Sequence, residues 1–90
     1  MIEKAAAHGF PNCYRIANGA AELVVTTDVG PRVMRYALAG GGNILGEWPG
    51  MGSTTPLGEW KLRGGHRLWA APELPEITYA PDNGKVDARL

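Results

Sequence analysis

The sequence predicts an all-β protein built as an antiparallel β-sandwich, and three observations support this fold class. Thirteen glycines and seven prolines make up 20 of the 90 residues, about 22 % where an average chain has about 12 %. Stretches rich in Val, Ile, Thr and Tyr lie between these turn-forming residues, which is typical of short strands joined by tight corners. Several stretches also alternate their side chains with the period of two that a pleated strand requires.

The first nine residues, MIEKAAAHG, are the one segment with helical composition. A helix this short is marginal in water. We therefore expect at most a short N-terminal helix or a loose leader, ended by Pro11. The segment lacks a basic start followed by a long apolar run, so a secretory signal is not expected.

Four strands are predicted next, joined as an antiparallel meander. Asn18-Gly19 is a strong hairpin signal between strands at 12–17 and 21–27, because both residues tolerate a positive φ. The corner DVGP at 28–31 leads to a third strand at 32–38, where side chains alternate. Three glycines at 40–42 form a turn, and residues 43–47 form a short fourth strand.

The second half of the chain has a different pattern of turn-forming and apolar residues. Residues 48–59 (WPGMGSTTPLGE) contain three glycines and two prolines and are predicted to be a loop, which at this length is often functional. Further short strands are predicted at 60–62, 74–79 and 85–90.

Charge and cysteine content limit the possible partners and compartments. Nine basic residues balance nine acidic ones, so no nucleic-acid or membrane partner is expected. The single cysteine, Cys13, excludes an internal disulfide and is predicted to be a small buried side chain. No run approaches the ~18 apolar residues of a membrane span. We predict one β domain over residues 1–90, soluble and cytoplasmic.

The stretch GGHRLWAAPE at 64–73 is the strongest candidate site. His66 can exchange a proton near neutral pH, Arg67 can bind a carboxylate or hydroxyls with two parallel hydrogen bonds, and Glu73 supplies a base. Trp48, Trp60 and Trp69 add flat apolar faces suited to the C–H faces of a sugar. These residue types together indicate a polyol or carbohydrate pocket.

A purely structural interpretation of the same stretch stays open. His66 and Arg67 would then point to opposite faces of one strand at a sheet corner. Arg67 would pair with an acid such as Glu73 or Glu59, and Trp69 would fill the core. Cofactor and metal sites are not expected, because the two histidines, His8 and His66, have no metal-ligand spacing.

Two phrases carry a family resemblance. Gly30-Pro31-Arg32-Val33 and the GGHRLWAAPE phrase, with Ala70 where a proline is often expected, are similar to phrases of galactose-mutarotase-like proteins. The chain resembles the N-terminal part of such aldose-1-epimerase-like β-supersandwich proteins over about residues 12–86. In true epimerases a histidine is the acid and a glutamate the base, and that glutamate comes from much later in a longer chain.

The resemblance implies a carbohydrate-binding or vestigial mutarotase-like domain without full catalytic machinery, on a partial supersandwich. The predicted substrate-binding residues are Arg32, His66, Arg67, Trp69 and Glu73, with no catalytic residue assigned and enzymatic activity undecided. The alternative is a non-enzymatic structural or self-assembling β module. Because both faces of residues 23–26 are apolar and exposed sheet edges template pairing, we expect a homo-oligomer formed through sheet edges or an apolar face.

Overall fold

A computed structural model describes residues 1–68, 72–74 and 80–90. The described residues form two antiparallel sheets and no helix, which confirms the predicted all-β class. One sheet has four strands in the order β1-β2-β3-β4, and the other is the hairpin β5-β6. The strands are β1 (Ile2–Ala7), β2 (Phe10–Ala17), β3 (Ala21–Thr26), β4 (Val33–Leu38), β5 (Glu47–Thr55) and β6 (Gly58–Gly64).

The expectation of a helix or leader at the N-terminus is wrong, because residues 2–7 form the edge strand β1. Its backbone pairs with β2 in a register that places Ile2 opposite Ile16 and Ala5 opposite Cys13. Helical composition is a weak preference, and a paired neighbouring strand overrides it by satisfying the backbone along the whole segment.

The meander of β2, β3 and β4 is confirmed, with strand bounds within one or two residues of the predicted ones. Asn18-Gly19 connects β2 to β3, and the Asn18 side chain accepts hydrogen bonds from the N–H groups of Ala20 and Ala21 at 2.9 Å. The register of β3 with β4 is irregular between Val24 and Val25.

No strand forms at residues 43–46, contrary to the expectation for 43–47. The side-chain amide of Asn43 instead occupies the open edge of β4. It accepts from the Tyr36 N–H at 3.1 Å and donates to the Met34 carbonyl at 2.8 Å. These bonds replace those of another strand.

The predicted loop at 48–59 is wrong for most of its length, since β5 runs from Glu47 to Thr55 and pairs with β6. The pairing is irregular between Trp48 and Gly52, in the glycine-rich part of the strand. The sequence predicts a loop here because the segment has several glycines and prolines and few apolar residues. In the structure, the strand is exposed along most of its length.

The core lies between the four-stranded sheet and the segments packed on it. Its most buried side chains include Cys13, as predicted, and Val24, Met34 and Ala37. Burial raises the pKa of the Cys13 thiol. Thr26 is fully buried, and its hydroxyl donates to the Val29 carbonyl at 2.7 Å.

The C-terminal segment joins the corner between β3 and β4. The Gly30 N–H donates to the Asp82 carbonyl at 2.9 Å, and the Val86 N–H donates to the Thr27 carbonyl at 2.7 Å. Residues 85–90 form no strand, so that prediction is wrong, and residues 75–79 of the strand predicted at 74–79 lie outside the described residues. None of the described residues belongs to a helix with the length and apolar character to cross a membrane.

Candidate functional site

Two cavities lie on opposite faces of the β5-β6 hairpin. The strand β6 alternates charged and apolar residues, and Glu59, Lys61 and Arg63 line a cavity of about 750 Å³, called the large groove below. Trp60 and Leu62 line a cavity of about 170 Å³, called the small cavity. Sites for small molecules typically have volumes of roughly 300–1,000 Å³, so the large groove has the size of a ligand site.

The turn between β1 and β2 brings His8 to the large groove. Ala7 and Phe10 are paired across this turn, and His8 and Gly9 have φ values of 55° and 82°. Positive φ at both central residues defines a two-residue hairpin turn of the type that matches strand twist. A left-handed backbone is uncommon for a residue other than glycine, so His8 is held in an unusual conformation.

His8 forms a close contact with Glu47, at the start of β5. The Nδ1 atom of His8 donates to Oε1 of Glu47, and the His8 side chain is only 14 % exposed. The other carboxylate oxygen of Glu47 accepts from the Asn43 amide at 3.3 Å. The pair therefore connects the β1-β2 turn to the β5-β6 hairpin across 39 positions of sequence.

The hydrogen bond from His8 holds the pKa of Glu47 below its usual range, and the bond from Asn43 acts in the same direction against partial desolvation. Glu47 is thus a carboxylate at neutral pH. Because its Nδ1–H is committed to this carboxylate, a neutral His8 presents Nε2 as an acceptor. In the part of the chain that the structure describes, no hydrogen bond is formed by Nε2, and His8 lines the groove.

The small cavity brings together three of the five predicted site residues. Arg32, His66 and Arg67 line it together with Trp48 and Trp60. These three residues and two of the three tryptophans therefore lie close together in the fold. At about 170 Å³ the cavity is smaller than typical ligand sites.

Arg32 is 5 % exposed, and its guanidinium is occupied by protein groups. Nε and Nη2 donate to the Asp82 carboxylate at 3.2 and 2.7 Å. Nη1 donates to the carbonyls of Leu62 and Gly64 at 2.7 and 2.9 Å. The structure thus gives Arg32 a role in connecting three segments of the fold, and its contact with a ligand stays a prediction.

His66 continues the chain from β6 to the edge of β4. Its N–H and carbonyl exchange two hydrogen bonds of 2.8 Å with Val33, which forms an isolated antiparallel bridge. The preceding glycines are required here, because a Cβ on Gly64 would overlap the Gly46 backbone and one on Gly65 would overlap Val33. The Gly-Gly doublet is therefore the corner where the hairpin meets the four-stranded sheet, and the His66 side chain is exposed.

The remaining predicted residues lie towards the C-terminal side of this corner. The half-buried Arg67 has Nη1 3.5 Å from the Ala80 carbonyl. Glu73 is exposed, and Trp69 lies outside the described residues. Their binding roles stay predictions. Among the residues that the structure places, no three His, Cys, Asp or Glu side chains are grouped so as to hold a metal ion.

Comparison of the chain with protein-family models, curated proteins and solved structures found no significant match.

The sequence does not predict the large groove, because its lining residues are spread over the predicted leader, the predicted loop at 48–59 and the predicted strands on either side of that loop. Two signals point to them. His8-Gly9 separates two stretches that pair as strands, and the alternation of charged with apolar residues at 59–63 is the pattern of a strand with two different faces. The pairing of His8 with Glu47 has no signal in the sequence, since 39 positions separate them.

Proposed function

We propose that this protein binds a small carbohydrate in the large groove. The observation that carries the proposal is the His8–Glu47 pair on the wall of a cavity of about 750 Å³. A carboxylate-oriented imidazole is a positioned acceptor, and such positioned polar groups in a concave surface give a ligand its orientation.

The other groups of the groove suit a ligand rich in hydroxyls. Ser53 and Thr54 provide hydroxyls that both donate and accept, Glu59 provides a carboxylate acceptor, and Lys61 provides donors. Phe10 and other apolar residues of the groove offer surface for the C–H groups of a sugar ring. A polyol needs this mixture of donors, acceptors and apolar contacts.

The resemblance to galactose-mutarotase-like proteins supports the same ligand class. It leads to the proposal of a carbohydrate-binding, vestigial mutarotase-like domain, for which we assign no catalytic residue. The proposal moves the principal binding surface from the small cavity to the large groove, because the Arg32 guanidinium is engaged by Asp82 and two backbone carbonyls.

Saturation-transfer NMR with a panel of neutral hexoses tests this proposal. We expect binding by the wild-type protein, a loss of about tenfold or more in affinity for His8→Ala and Glu47→Gln, and little change for His66→Ala. Thermal melts establish that each variant is folded. Loss of binding in His66→Ala with His8→Ala unaffected would instead place the site in the small cavity, and absence of hexose binding by the wild type would overturn the proposal.

The second candidate function is a self-assembling β module. One observation favours it: Ile2, Ile16 and Tyr36 belong to one row across the four-stranded sheet and are 48 %, 37 % and 47 % exposed. A continuous apolar surface on a sheet is a typical interaction surface. Its test is the oligomeric state in solution.

A further inference from the structure

Arg63 is a positioned cation on the wall of the large groove. Its guanidinium carbon lies 5.5 Å from the centroid of the Phe10 ring, within cation–π range. Its Nη2 donates to Oδ1 of Asn83 at 2.7 Å. Asn83 is itself fixed, because its Nδ2 donates to the Glu59 carbonyl at 2.7 Å. The guanidinium is therefore oriented before any ligand arrives.

The charge of Arg63 is not neutralised within the described residues. Three other arginines pair with carboxylates at 2.6–2.7 Å: Arg15, Arg32 and Arg35. Arg63 forms no ion pair with any carboxylate that the structure places, and its Nε is buried without a hydrogen-bond partner. A buried donor without an acceptor is costly, so the surrounding structure must hold Arg63 in this position.

Lys61 adds a second cation to the same wall. It lies two residues before Arg63 in β6, and both residues line the large groove. In the described ranges Lys61 has no ion pair either. Glu59, in the same strand, is about 13 Å from Arg63 along the backbone, and Glu47, whose backbone pairs with Gly64, is bound by His8.

The backbone at Arg63 is also unusual. Its φ is 55°, a left-handed conformation that is disfavoured for a residue with a side chain. Non-glycine residues held in this region cluster at ligand sites, because the surrounding structure must maintain them. His8, which also lines the groove, has the same φ.

From these observations we infer that the large groove takes a sugar carrying an oxyanion, either a carboxylate or a phosphate, and that Arg63 and Lys61 bind the anionic group. This inference rests on the proposed carbohydrate function and specifies its ligand class. A planar guanidinium can donate two parallel hydrogen bonds to a carboxylate or phosphate. The His8–Glu47 pair, which also lines the groove, remains for the hydroxyls.

Isothermal titration at low salt compares D-glucuronate and glucose 6-phosphate with D-glucose. We expect at least one anionic sugar to bind about tenfold or more tightly than glucose, and this preference to fall with added salt because ionic contacts are screened. Arg63→Met and Lys61→Met should remove the preference. Arg89→Met is the matched control, because the Arg89 side chain is 87 % exposed and does not line the groove.

NMR of the wild type provides a readout that does not depend on any variant folding. The Arg63 Nε–H resonance should shift with the anionic sugar that binds. Equal affinities for glucose and both anionic sugars would overturn this inference and leave the proposed function standing. A shift with inorganic phosphate, without binding of any sugar, would support the anion site and overturn the proposed function. If neither D-glucuronate nor glucose 6-phosphate binds or shifts the Arg63 resonance, the inference is overturned.

Discussion

Arg32 connects three segments that are far apart in sequence. Its guanidinium lies between Asp82, 50 positions later, and the carbonyls at the end of β6. The guanidinium is buried, and its Nε and both Nη atoms donate hydrogen bonds to these partners. When one partner of such a buried pair is removed, the other is left as an uncompensated charge, which typically destabilises a protein by about 3–5 kcal/mol.

Replacement of Arg32 should therefore destabilise the fold strongly. We expect Arg32→Met to lower the unfolding free energy by about 3–5 kcal/mol, and Arg32→Lys to restore only part of it, since an ammonium cannot reproduce the planar fork. Circular dichroism melts measure the change, with Arg89→Met as the control. Equal melting temperatures for the wild type and Arg32→Met would show that Arg32 does not hold these segments together.

The sequence did not predict the partner of Arg32. Arg32 was selected from the Gly-Pro-Arg-Val phrase as a ligand contact, and the structure shows it bound by Asp82. A phrase in the sequence identifies a residue with a special role. It does not identify which distant group the residue meets, because that depends on how the chain folds between two positions that are 50 apart in sequence.

At the scale of elements, β1 and β5 are the strands that composition did not predict. β1 has helical composition, and β5 has the glycines and prolines of a loop. Each is a strand because a neighbour pairs with it: β2 for β1, and β6 for β5. In β5 the glycines have a steric role, since a Cβ on Gly52 would overlap the Trp60 carbonyl and press on the Lys61 backbone.

Gly52→Ala tests this close approach of β5 to β6. We expect a loss of about 1–3 kcal/mol, the usual cost of overpacking, together with faster amide exchange along the hairpin. The control is Gly42→Ala, which has nothing within 4 Å of its Cβ position and no positive φ. It should change stability by less than about 0.5 kcal/mol. Similar effects of the two substitutions would contradict the register described for the hairpin.

At the scale of the whole molecule, the two faces of the four-stranded sheet differ in chemistry. One face carries an ion-pair network around Val24, in which Glu22 binds both Arg15 and Arg35 at 2.6 and 2.7 Å. The pKa of Glu22 is held below its usual range, chiefly by Arg35 and then by Arg15. The other face carries the apolar row that includes Ile16 and Tyr36. Only the apolar face favours association with another copy of the chain.

The predicted homo-oligomer can be tested on that row. Light scattering at micromolar concentration should give the wild type a mass above that of the 9.6 kDa monomer. Ile16→Lys should return it to the monomer, because a lysine cannot be buried unpaired in an apolar interface. Leu57→Lys, which changes an exposed leucine in the turn between β5 and β6, should leave the mass unchanged. A monomeric wild type would contradict the prediction.

The sequence by itself determined the fold class, the meander of β2 to β4 and the position of its corners. These follow from local rules: a period of two, and residues such as Asn18-Gly19 that accept a positive φ. Only the tertiary structure decided that residues 2–7 and 47–55 are strands, that Arg32 meets Asp82, and that His8 meets Glu47. The physical reason is that pairing partners and ion pairs depend on distances in space, which an individual segment does not encode.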